Sequence, residues 1–495
     1  MLPKSLSLIR SLMLGLFLAG LTQTGFAFTQ NGTTYTTDGS INDINNAISA
    51  APAGSIVQIP PGNFKWGTGG AWINLNNAVS LLGSGTAATI ITIDPSYFYS
   101  YAEVIRMSAP ATVGNFSIIA ANNCVGAFDT DFNGSAPNGW RITNVNYSDP
   151  SNAGAGYFVN VEGNYGLIDN CTLTSGNGSC EWIFCRGPSN SWQTPSSEGT
   201  ANCVIIESST FNGMAYICDA NANARVVVRY CTINGRQKID GHGLASNSPA
   251  RGVRHMEIYG NTWTTASGLA AAMELRGGSG YVFNNTQPNG TLWFWLNEYG
   301  CLAQWPNFGG VIQTPANYPI KDQIGEGEDV NGAQNTGGSA PMYIWGNLTQ
   351  GANWAPGSSA IPGGAYAQYR SAVGGTTATF TILGPPTPDI IQEGRDYFLQ
   401  GGVSGNAPFT GTDGIGAGTT AQMNAITPTV AGVGYWVTDQ GSWNTTLPQN
   451  TSGQFYTWNG NAWVLTYTPY TFPDPMRLPP APTGLRVLPA ASPGN

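Results

Sequence analysis

Segments in which apolar and polar residues alternate recur along the middle of the chain. Each reaches a small or amide residue and then another apolar residue, as in RITNVNY, LIDNCTL and YVFNNTQ. Because the side chains of a β-strand point alternately to opposite faces, this period of two predicts short strands. Six segments align on one anchor position, and YIWGNLT is a weaker seventh copy. The six anchors are Val145, Cys171, Ser209, Cys231, Asn261 and Asn285.

The spacing of the anchors predicts how the strands stack. Successive anchors are 22 to 38 residues apart, and irregular repeats of this length with internal alternation indicate a β-solenoid. Each repeat holds about three short strands, and every strand pairs in parallel with its copy in the next repeat. We expect the recurring Asn or Cys to occupy one bend, because Asn tolerates the left-handed conformation and can hydrogen-bond to its copy. Asn261 and Asn285 should then lie at equivalent bends.

The residues before the repeats predict a cap. Ser40-x-x-Asp43 is a helix-capping pattern, and Ile41, Ile44 and Ile48 fall on one helical face. A short amphipathic helix followed by an apolar strand suits the end of an open stack. Here the chain resembles the right-handed parallel β-helix superfamily of pectate lyases and polygalacturonases, over about residues 33–350. The resemblance implies that fold but leaves the activity open, because the fold also serves adhesins and phage spikes.

The N-terminus has the pattern of a signal peptide. Lys4 and Arg10 precede an apolar run from Leu12 to Leu21, which is short for a membrane span, and small residues lead to Ala27. We expect cleavage near Ala27 and a secreted or periplasmic protein with no membrane span in the mature chain. The alternative interpretation is an N-terminal membrane anchor.

The expected fold is all-β: a right-handed parallel β-helix with an N-terminal helical cap and a C-terminal β-rich cap containing many Trp and Tyr. The predicted parts are a signal peptide (1–27), the β-helix (28–350) with an insertion at about 288–341, a β-rich region (351–477) and a Pro-rich tail or linker (478–495). The insertion contains TLWFWLNEYGCLAQW, which is too aromatic for a solvated linker. We expect it to leave the stack and lie over it.

Alternating aromatic residues in the β-rich region predict two or three antiparallel strands. We expect Trp436, Trp443, Trp458 and Trp463 to pack in a cap over the last repeat. A sugar-binding platform formed by the same residues is the alternative.

Composition restricts the partners. Only 9% of residues are charged, and without the signal peptide 16 basic residues face 27 acidic ones, a net charge of −11. Such a chain is a poor candidate for binding nucleic acid or an anionic membrane surface. It would also repel an acidic polysaccharide unless basic groups gathered locally. We expect the protein to be a monomer.

One stretch, MELRGGSG, sets two charges close together. If Met273 and Leu275 point inward, Glu274 and Arg276 point outward on the same face. The corresponding strands of other repeats hold further ionisable residues, namely Glu162, Arg186, Asp219, Lys238, Asp240 and His242. We expect Glu162, Arg186, Asp219, His242 and Arg276 to stack along one outer strip. Two interpretations remain open: a solvated ladder of salt bridges, or a groove that binds a polysaccharide.

In the groove interpretation, the segments at 189–200 and 245–255 form the walls. These segments supply Trp192 and either Arg251 or Arg254. The predicted substrate-binding residues are Arg186, Glu162, Asp219, Glu274, Trp192 and Arg254.

Two local resemblances bear on the chemistry. MELRGGSGYVFNNT is similar to the strand and turn that carry the catalytic Arg of the alginate lyase and chondroitinase B group. Leu275, Arg276 and Gly278 match, whereas Gly277 replaces the family's His and the family's Lys-Ser-Ser is missing. DGHGLAS resembles the Gly-His-Gly of polygalacturonases, but their Asn-Thr-Asp and Asp-Asp motifs are missing upstream.

These residue types suit β-elimination in a uronic-acid chain. The reaction requires a group that neutralises the sugar carboxylate, a base for the adjacent proton and an acid for the leaving oxygen. Arg276 and Arg186 are expected to neutralise, and His242 or Lys238 to act as the base. The predicted catalytic residues are therefore Arg276, His242 and Lys238.

Calcium is an alternative means of neutralisation, through oxygen ligands from Glu162, Asp219 and Glu274. The first functional hypothesis is a secreted lyase that acts on an acidic, uronic-acid-containing polysaccharide. The second is a non-catalytic carbohydrate-binding or surface β-helix protein. The third is a polygalacturonase-like glycoside hydrolase.

The cysteines suggest little metal chemistry, because their spacing matches no zinc motif and we expect no thiolate ligation. Cys171 and Cys231 share a column with Ser209 between them, so they lie two strand spacings, about 9.6 Å, apart. That exceeds the limit of about 7 Å between the Cα atoms of a disulfide. We expect both to be free core thiols, and Cys180 and Cys185 to form a local disulfide.

Overall fold

The part of the chain that the structure describes is all-β, with 48% strand. The structure is a computed structural model that describes residues 27–94, 103–120, 126–130, 138–149, 157–163, 165–175, 180–213, 215–235, 237–243, 251–264, 271–288, 292–297, 324–328, 339–349, 352–353, 365–371, 380–383, 392–400 and 409–477. The proposed signal peptide and the Pro-rich tail lie outside these residues, apart from Ala27. Among the described helices, neither has the length and apolar character needed to cross a membrane.

Two large sheets, both mainly parallel, dominate the described part of the chain. The 22-stranded first sheet contains β1 (Thr29–Asn31), β2 (Thr34–Thr36), β3 (Ile56–Gln58), β4 (Gly62–Trp66), β6 (Ser80–Leu82), β7 (Thr89–Ile93), β9 (Thr112–Ile119), β11 (Trp140–Asp149), β13 (Gly166–Asp169), β14 (Thr172–Ser175), β16 (Val204–Glu207), β17 (Thr210–Asn212), β19 (Arg225–Arg229), β20 (Thr232–Asn234), β22 (His255–Tyr259), β23 (Thr262–Trp263), β25 (Ser279–Phe283), β26 (Thr286–Gln287), β30 (Met342–Trp345), β31 (Leu348–Thr349), β32 (Ala352–Asn353) and β35 (Tyr397–Leu399).

The second sheet has eleven strands. They are β5 (Ile73–Leu75), β8 (Ile105–Met107), β10 (Gly126–Asp129), β12 (Tyr157–Glu162), β15 (Cys180–Arg186), β18 (Ala215–Ala220), β21 (Lys238–Gly241), β24 (Ala271–Leu275), β27 (Leu292–Asn297), β33 (Ala365–Ser371) and β34 (Phe380–Leu383). The remaining elements are the pair β28 (Gly325–Glu326) and β29 (Ser339–Ala340), the C-terminal sheet of β36 (Ile415–Gly418), β37 (Gly434–Val437), β38 (Gln454–Trp458) and β39 (Trp463–Tyr467), and the helices α1 (Ile41–Ala50) and α2 (Thr420–Asn424).

From β12 to β26 the chain follows one repeating path. Each repeat contributes one strand to the second sheet and then two strands to the first sheet, with a bend between them. Each strand pairs in parallel with its equivalent in the next repeat, as β15 does with both β12 and β18. Apolar side chains from both sheets, such as Ile183, Cys218, Val228 and Ile258, meet in one buried core.

The bend between the two first-sheet strands carries a ladder of asparagines. Asn261 donates from Nδ2 to Asn285 Oδ1 at 3.0 Å, and Asn285 donates in the same way to Asn347 Oδ1 at 2.9 Å. The backbone N–H of Cys231 donates to Asn261 Oδ1 at 3.0 Å, so the ladder continues to a non-asparagine anchor. The predicted equivalence of Asn261 and Asn285 is confirmed, and Asn347 is the anchor of the seventh copy.

The left-handed residue at this bend is the one before the anchor. Residues at this position have φ between 50° and 67°, and they are Asn115, Asn144, Asn170, Ser208, Tyr230, Gly260, Asn284 and Gly346. The anchor side chain turns inward instead, and Asn285 Nδ2 also donates to the backbone oxygen of Ile258 at 2.9 Å. The anchor is therefore Asn because its amide bridges neighbouring backbones, not because it adopts a left-handed conformation.

Helix α1 forms as predicted. The Ser40 side chain accepts from the Asp43 backbone N–H at 3.3 Å, and Ile41, Ile44 and Ile48 are buried. The helix packs against β3 and β5, near the first repeats of the stack.

The predicted insertion is wrong for one of its segments. Strand β27 pairs in parallel and in register with β24, from Ala271 opposite Leu292 to Leu275 opposite Leu296. Its Phe294 is buried in the core. Strand β27 therefore belongs to the stack, and Phe294 faces its core. Residues 298–323 lie outside the described residues.

The parallel sheets also continue past the predicted boundary at residue 350. Strand β35 pairs in parallel with β30, with Met342 opposite Tyr397. The later strands β37 to β39 are antiparallel, as predicted, and β36 adds a parallel edge to them.

The C-terminal sheet packs against the side of the stack, not over its last repeat. Its Tyr467 ring stacks on Tyr281 with centroids 3.8 Å apart, and the Trp345 ring lies 4.7 Å from Phe455. This aromatic cluster runs along the outer face of the first sheet from β13 to β35. The four tryptophans pack here, with Trp436 and Trp443 buried and Trp458 and Trp463 partly buried.

The cysteine predictions had mixed outcomes. Cys171 and Cys231 are buried free thiols, as expected. Cys185 is also free, so the predicted Cys180–Cys185 disulfide is wrong. Both residues lie on the single extended strand β15, and five residues of strand span about 16 Å, far beyond the reach of a disulfide.

Candidate functional site

The predicted outer strip lies on the outward face of the second sheet. Cys218, Ile239 and Met273 point into the core, so the residue after each points outward. These residues are Asp219, Asp240 and Glu274, and the strand register places them side by side on β18, β21 and β24. Parallel pairing has therefore brought three carboxylates from separate repeats into one row.

Six side chains around this row form one ionic cluster, comprising Asp219, Lys238, Asp240, His242, Glu274 and Arg276. Arg276 donates to Asp240 Oδ1 from NH2 at 2.7 Å and from Nε at 3.2 Å. Lys238 Nζ contacts Glu274 and lies 3.3 Å from Asp240 Oδ2. Asp240 is thus the centre of the cluster, although the sequence did not single it out as a site residue.

The cluster is not a solvated salt-bridge ladder. The side chains of Arg276 and Asp240 are only 6% and 2% exposed, and Lys238 reaches the surface with 20% of its side chain. Glu274, the expected partner of Arg276, lies farther from it, at 3.7 Å from Nε. Three carboxylates and two cations leave one net negative charge while His242 is neutral.

His242 lies at the edge of the cluster and is 23% exposed. Its Nε2 is 3.0 Å from Asp219 Oδ1 and 3.6 Å from Asp240 Oδ2. Burial, followed by the positive charge of Arg276, lowers the pKa of His242 to about 3. The imidazole is therefore neutral at ordinary pH, and in this environment it is a weak base.

Lys238 has the opposite character. Burial disfavours its charge, but the carboxylates of Asp240 and Glu274 outweigh burial and raise the pKa of Lys238 above its usual value. Its Nζ also lies 4.2 Å from the centroid of the Tyr216 ring, where the aromatic face favours a cation. Lys238 is thus a persistent cation that is suited to attract an anion, rather than to act as the expected base.

Glu162 and Arg186 form a separate pair. They lie opposite each other on β12 and β15 and contact each other, and each side chain is 39% exposed. The register places Phe184, not Arg186, opposite Asp219. The Arg186 guanidinium lies 4.7 Å from the Phe184 ring. Phe184 thus lies between the Glu162–Arg186 pair and the ionic cluster.

Two predicted wall residues are unable to contact a polymer. Trp192 is fully buried, and its Nε1 donates to the Gly252 backbone oxygen at 3.0 Å. Arg254 is 2% exposed, and its guanidinium lies 5.2 Å from the Trp192 ring. The predicted substrate-binding roles of Trp192 and Arg254 are therefore wrong, because their loops fold against the first sheet. Arg251 is partly buried, 5.0 Å from the same ring.

Sequence reasoning missed ionisable residues on earlier strands of the second sheet. Arg106 and Asp129 lie opposite each other on β8 and β10, and Asn160 follows on β12. Burial and the charge of Asp129 raise the pKa of the nearby Glu103 carboxyl to about 8. Strands β8 and β10 precede the first aligned copy, but the left-handed Asn115 marks one further repeat that an Asn-based search would have found.

The ionic cluster is a poor match to calcium. Asp219, Asp240 and His242 place one ligand atom each within 4.8 Å of one another. Ca²⁺ prefers six to eight oxygen ligands, whereas this group offers a nitrogen and two carboxylates. Arg276 and Lys238 also already engage the Asp240 oxygens that a metal ion would need. Of the other expected calcium ligands, Glu274 contacts Lys238 and Glu162 contacts Arg186.

The cluster thus combines a neutral imidazole, two cations and three carboxylates on a long parallel sheet. Comparison of the chain with protein-family models, with curated proteins and with solved structures finds no match.

Proposed function

We propose that the chain winds as a right-handed parallel β-helix, is secreted, and cleaves an acidic, uronic-acid-containing polysaccharide by β-elimination. The alternation of strands between two stacked parallel sheets, one repeat after another, supports the β-helix. Such folds present a continuous outer face along which an extended polymer can lie. The ionic cluster gives that face its chemistry.

One observation carries the functional proposal. In a chain with 9% charged residues, Lys238, His242 and Arg276 lie together on neighbouring strands of an outer sheet face. A buried ionic network needs many compensating contacts and contributes little net stability, so its presence calls for another reason. Elimination next to a carboxylate requires cations and a neutral base within reach of one sugar unit.

Each group has a role in this proposal. Lys238, at the surface, attracts the uronate carboxylate, while Arg276 contributes positive charge from beneath. Asp219 Oδ1 lies 3.0 Å from Nε2 of His242, and the other ring nitrogen takes the proton from the carbon next to the uronate carboxylate. The uronate carboxylate of the bound sugar offsets the charge of Arg276 and thereby raises the pKa of His242, which strengthens the base.

The step balances without a co-reactant. The C–H electron pair becomes the new carbon–carbon double bond, and the glycosidic carbon–oxygen bond breaks with its electrons on the leaving oxygen. A water molecule protonates that oxygen and leaves hydroxide. The hydroxide takes the proton that His242 gained, so the polymer yields two shorter chains, one with an unsaturated end.

The test is a screen of the purified protein against alginate, pectate and chondroitin, with ultraviolet absorbance of the unsaturated product as the readout. Wild-type protein should generate absorbance on one of these substrates, and His242→Gln should not. Lys65→Ala serves as a control, because Lys65 is 60% exposed and forms its ion pair with Asp94 on the other sheet. Binding without any product would favour the non-catalytic hypothesis.

One observation favours a glycoside hydrolase as the second candidate. The carboxylates of Asp219 and Asp240 lie close together beside His242, and the ionic cluster carries net negative charge. Two carboxyl groups that flank a scissile bond are the usual machinery of glycoside hydrolysis. In that case one would donate a proton to the leaving oxygen, and new reducing ends would appear without ultraviolet absorbance.

A further inference from the structure

A second group of ligating side chains lies beneath the C-terminal sheet. His255 and Glu257 are two residues apart on β22, so they share its outward face, and Cys203 comes directly before β16. Cys203 Sγ lies 3.4 Å from His255 Nε2, which lies 3.8 Å from Glu257 Oε1. None of the three residues is exposed to solvent. The group is on the opposite side of the core from the ionic cluster.

We propose that Cys203, His255 and Glu257 bind a zinc-type divalent cation. Zn²⁺ binds thiolate sulfur at about 2.3 Å and imidazole nitrogen or carboxylate oxygen at about 2.0 Å, usually in tetrahedral geometry. Around such an ion, sulfur and nitrogen lie about 3.5 Å apart, and nitrogen and oxygen about 3.3 Å apart. The separations of 3.4 Å and 3.8 Å are close to these values. Water is the natural fourth ligand for three protein ligands.

The three residues are placed to share one ion. Their ligand atoms all lie within 4.8 Å of one another. A divalent cation between them would bind the thiolate of Cys203 and the carboxylate of Glu257 and release their protons.

The surrounding charges suit such an ion. Arg225 and Arg254 bring two positive charges near His255, and Glu198 brings a negative one. With Cys203 and Glu257 ionised, these five groups carry one net negative charge, which a divalent cation converts to one net positive charge. Both states are close to neutral, as a buried site requires.

Outer hydrogen bonds hold the ligands in position. Glu257 Oε2 accepts from the Tyr467 hydroxyl at 2.5 Å, and Oε1 accepts from the Gly199 backbone N–H at 2.9 Å. Partners of this kind orient carboxylate ligands around metal ions. In contrast, His255 Nδ1 is buried and has no hydrogen-bond partner among the described residues.

A cleft opens next to Gly199, whose backbone N–H bonds Glu257. A cleft of about 430 Å³ lies at the seam between the loop at Gly199 and the C-terminal sheet, where Trp443, Gln454 and Tyr470 also line it. Because Tyr467 and Gly199 both bond Glu257, an ion here would join the C-terminal sheet to the stack. Its proposed role is structural.

The experiment is metal analysis of the full-length protein. Chelator-treated protein is loaded with Zn²⁺ alone, freed of excess ion, and assayed for zinc by mass spectrometry and for melting temperature. The same protein is loaded with Co²⁺, which gives a thiolate-to-metal absorption band if Cys203 is a ligand. We expect about one zinc per chain, a cobalt–thiolate band and a higher melting temperature with metal.

Variants identify the ligands. Cys203→Ser and Glu257→Gln should each lose the bound zinc, and Cys203→Ser should also lose the cobalt band. Cys171→Ser, at a buried free thiol elsewhere in the core, should keep both. If the folded wild type takes up no zinc and shows no cobalt band, the proposal is wrong. It is equally wrong if uptake persists in Cys203→Ser but disappears in His242→Gln, because the ion then occupies the ionic cluster.

Discussion

Asp240 accepts two hydrogen bonds from Arg276 on a single oxygen, Oδ1, at 2.7 Å and 3.2 Å. Both residues are buried, and they come from neighbouring repeats that only the parallel stacking of β21 and β24 brings together. The pair therefore links the integrity of the stack to the chemistry of the ionic cluster.

We predict that Arg276→Ala loses stability as well as activity. The substitution removes the Arg276 cation and leaves the Asp240 carboxylate buried. Removing one partner of a buried ion pair costs about 3–5 kcal/mol. The free energy of unfolding in urea should fall by that amount. The double variant Arg276→Ala/Asp240→Asn should recover part of it, because the uncompensated charge is then absent. Equal stability of Arg276→Ala and wild type would show that the ion pair is not formed.

His242→Gln should separate catalysis from stability. His242 is partly exposed, so the free energy of unfolding should change little. On the polysaccharide that the wild type cleaves, the rate should fall by a factor of about 10² to 10⁴, the usual contribution of a positioned base. Product absorbance per unit time measures this loss. A variant that retains the wild-type rate would remove His242 from the mechanism.

Glu103 should make stability depend on pH. Its pKa is about 8 in the folded chain and about 4.5 in the unfolded chain, so the folded state binds the proton more tightly. The protonated Glu103 contributes fully to the free energy of unfolding below about pH 4.5, and this contribution is lost as the pH rises through 8. Glu103→Gln, which resembles the protonated carboxyl, should lack this loss and be more stable than wild type above pH 8. Urea unfolding at several pH values, with both proteins in the same buffers, measures the difference.

Asn285→Ala should strongly destabilise the stack. Asn285 accepts from Asn261 and donates to Asn347 and to the Ile258 backbone, all in the buried core. Each buried partner left without a hydrogen bond costs about 1–3 kcal/mol. Asn212→Ala is the matched control, because Asn212 is partly exposed and water can replace its partners. Similar losses in both variants would contradict the importance of the buried ladder.

The repeat ladder was predictable because period and anchor chemistry are both visible in the sequence. Asn261 and Asn285 align without knowledge of the fold, and alternation around Met273 indicates which side of the strand Glu274 occupies. Asp240 was harder to recognise as the centre, because its importance depends on which side chains the register places beside it.

Features that depend on loop paths were not predictable. Trp192 and Arg254 are 62 positions apart, and the sequence around each residue does not indicate that they pack against each other. Cys203 and His255 likewise lie 52 positions apart and meet only through the stacking of β16, β19 and β22, so no spacing motif identifies them.

The aromatic cluster beneath the C-terminal sheet has a consequence for the order in which the chain is made. Tyr281, Phe283 and Trp345 lie on strands of the stack, whereas the rings that cover them belong to residues beyond 430. Because synthesis runs from the N-terminus, this face stays exposed to water after the other strands of the stack have been made. The nascent protein therefore exposes an aromatic surface until the residues beyond 430 have been synthesised. Premature termination would leave that surface exposed and prone to aggregation.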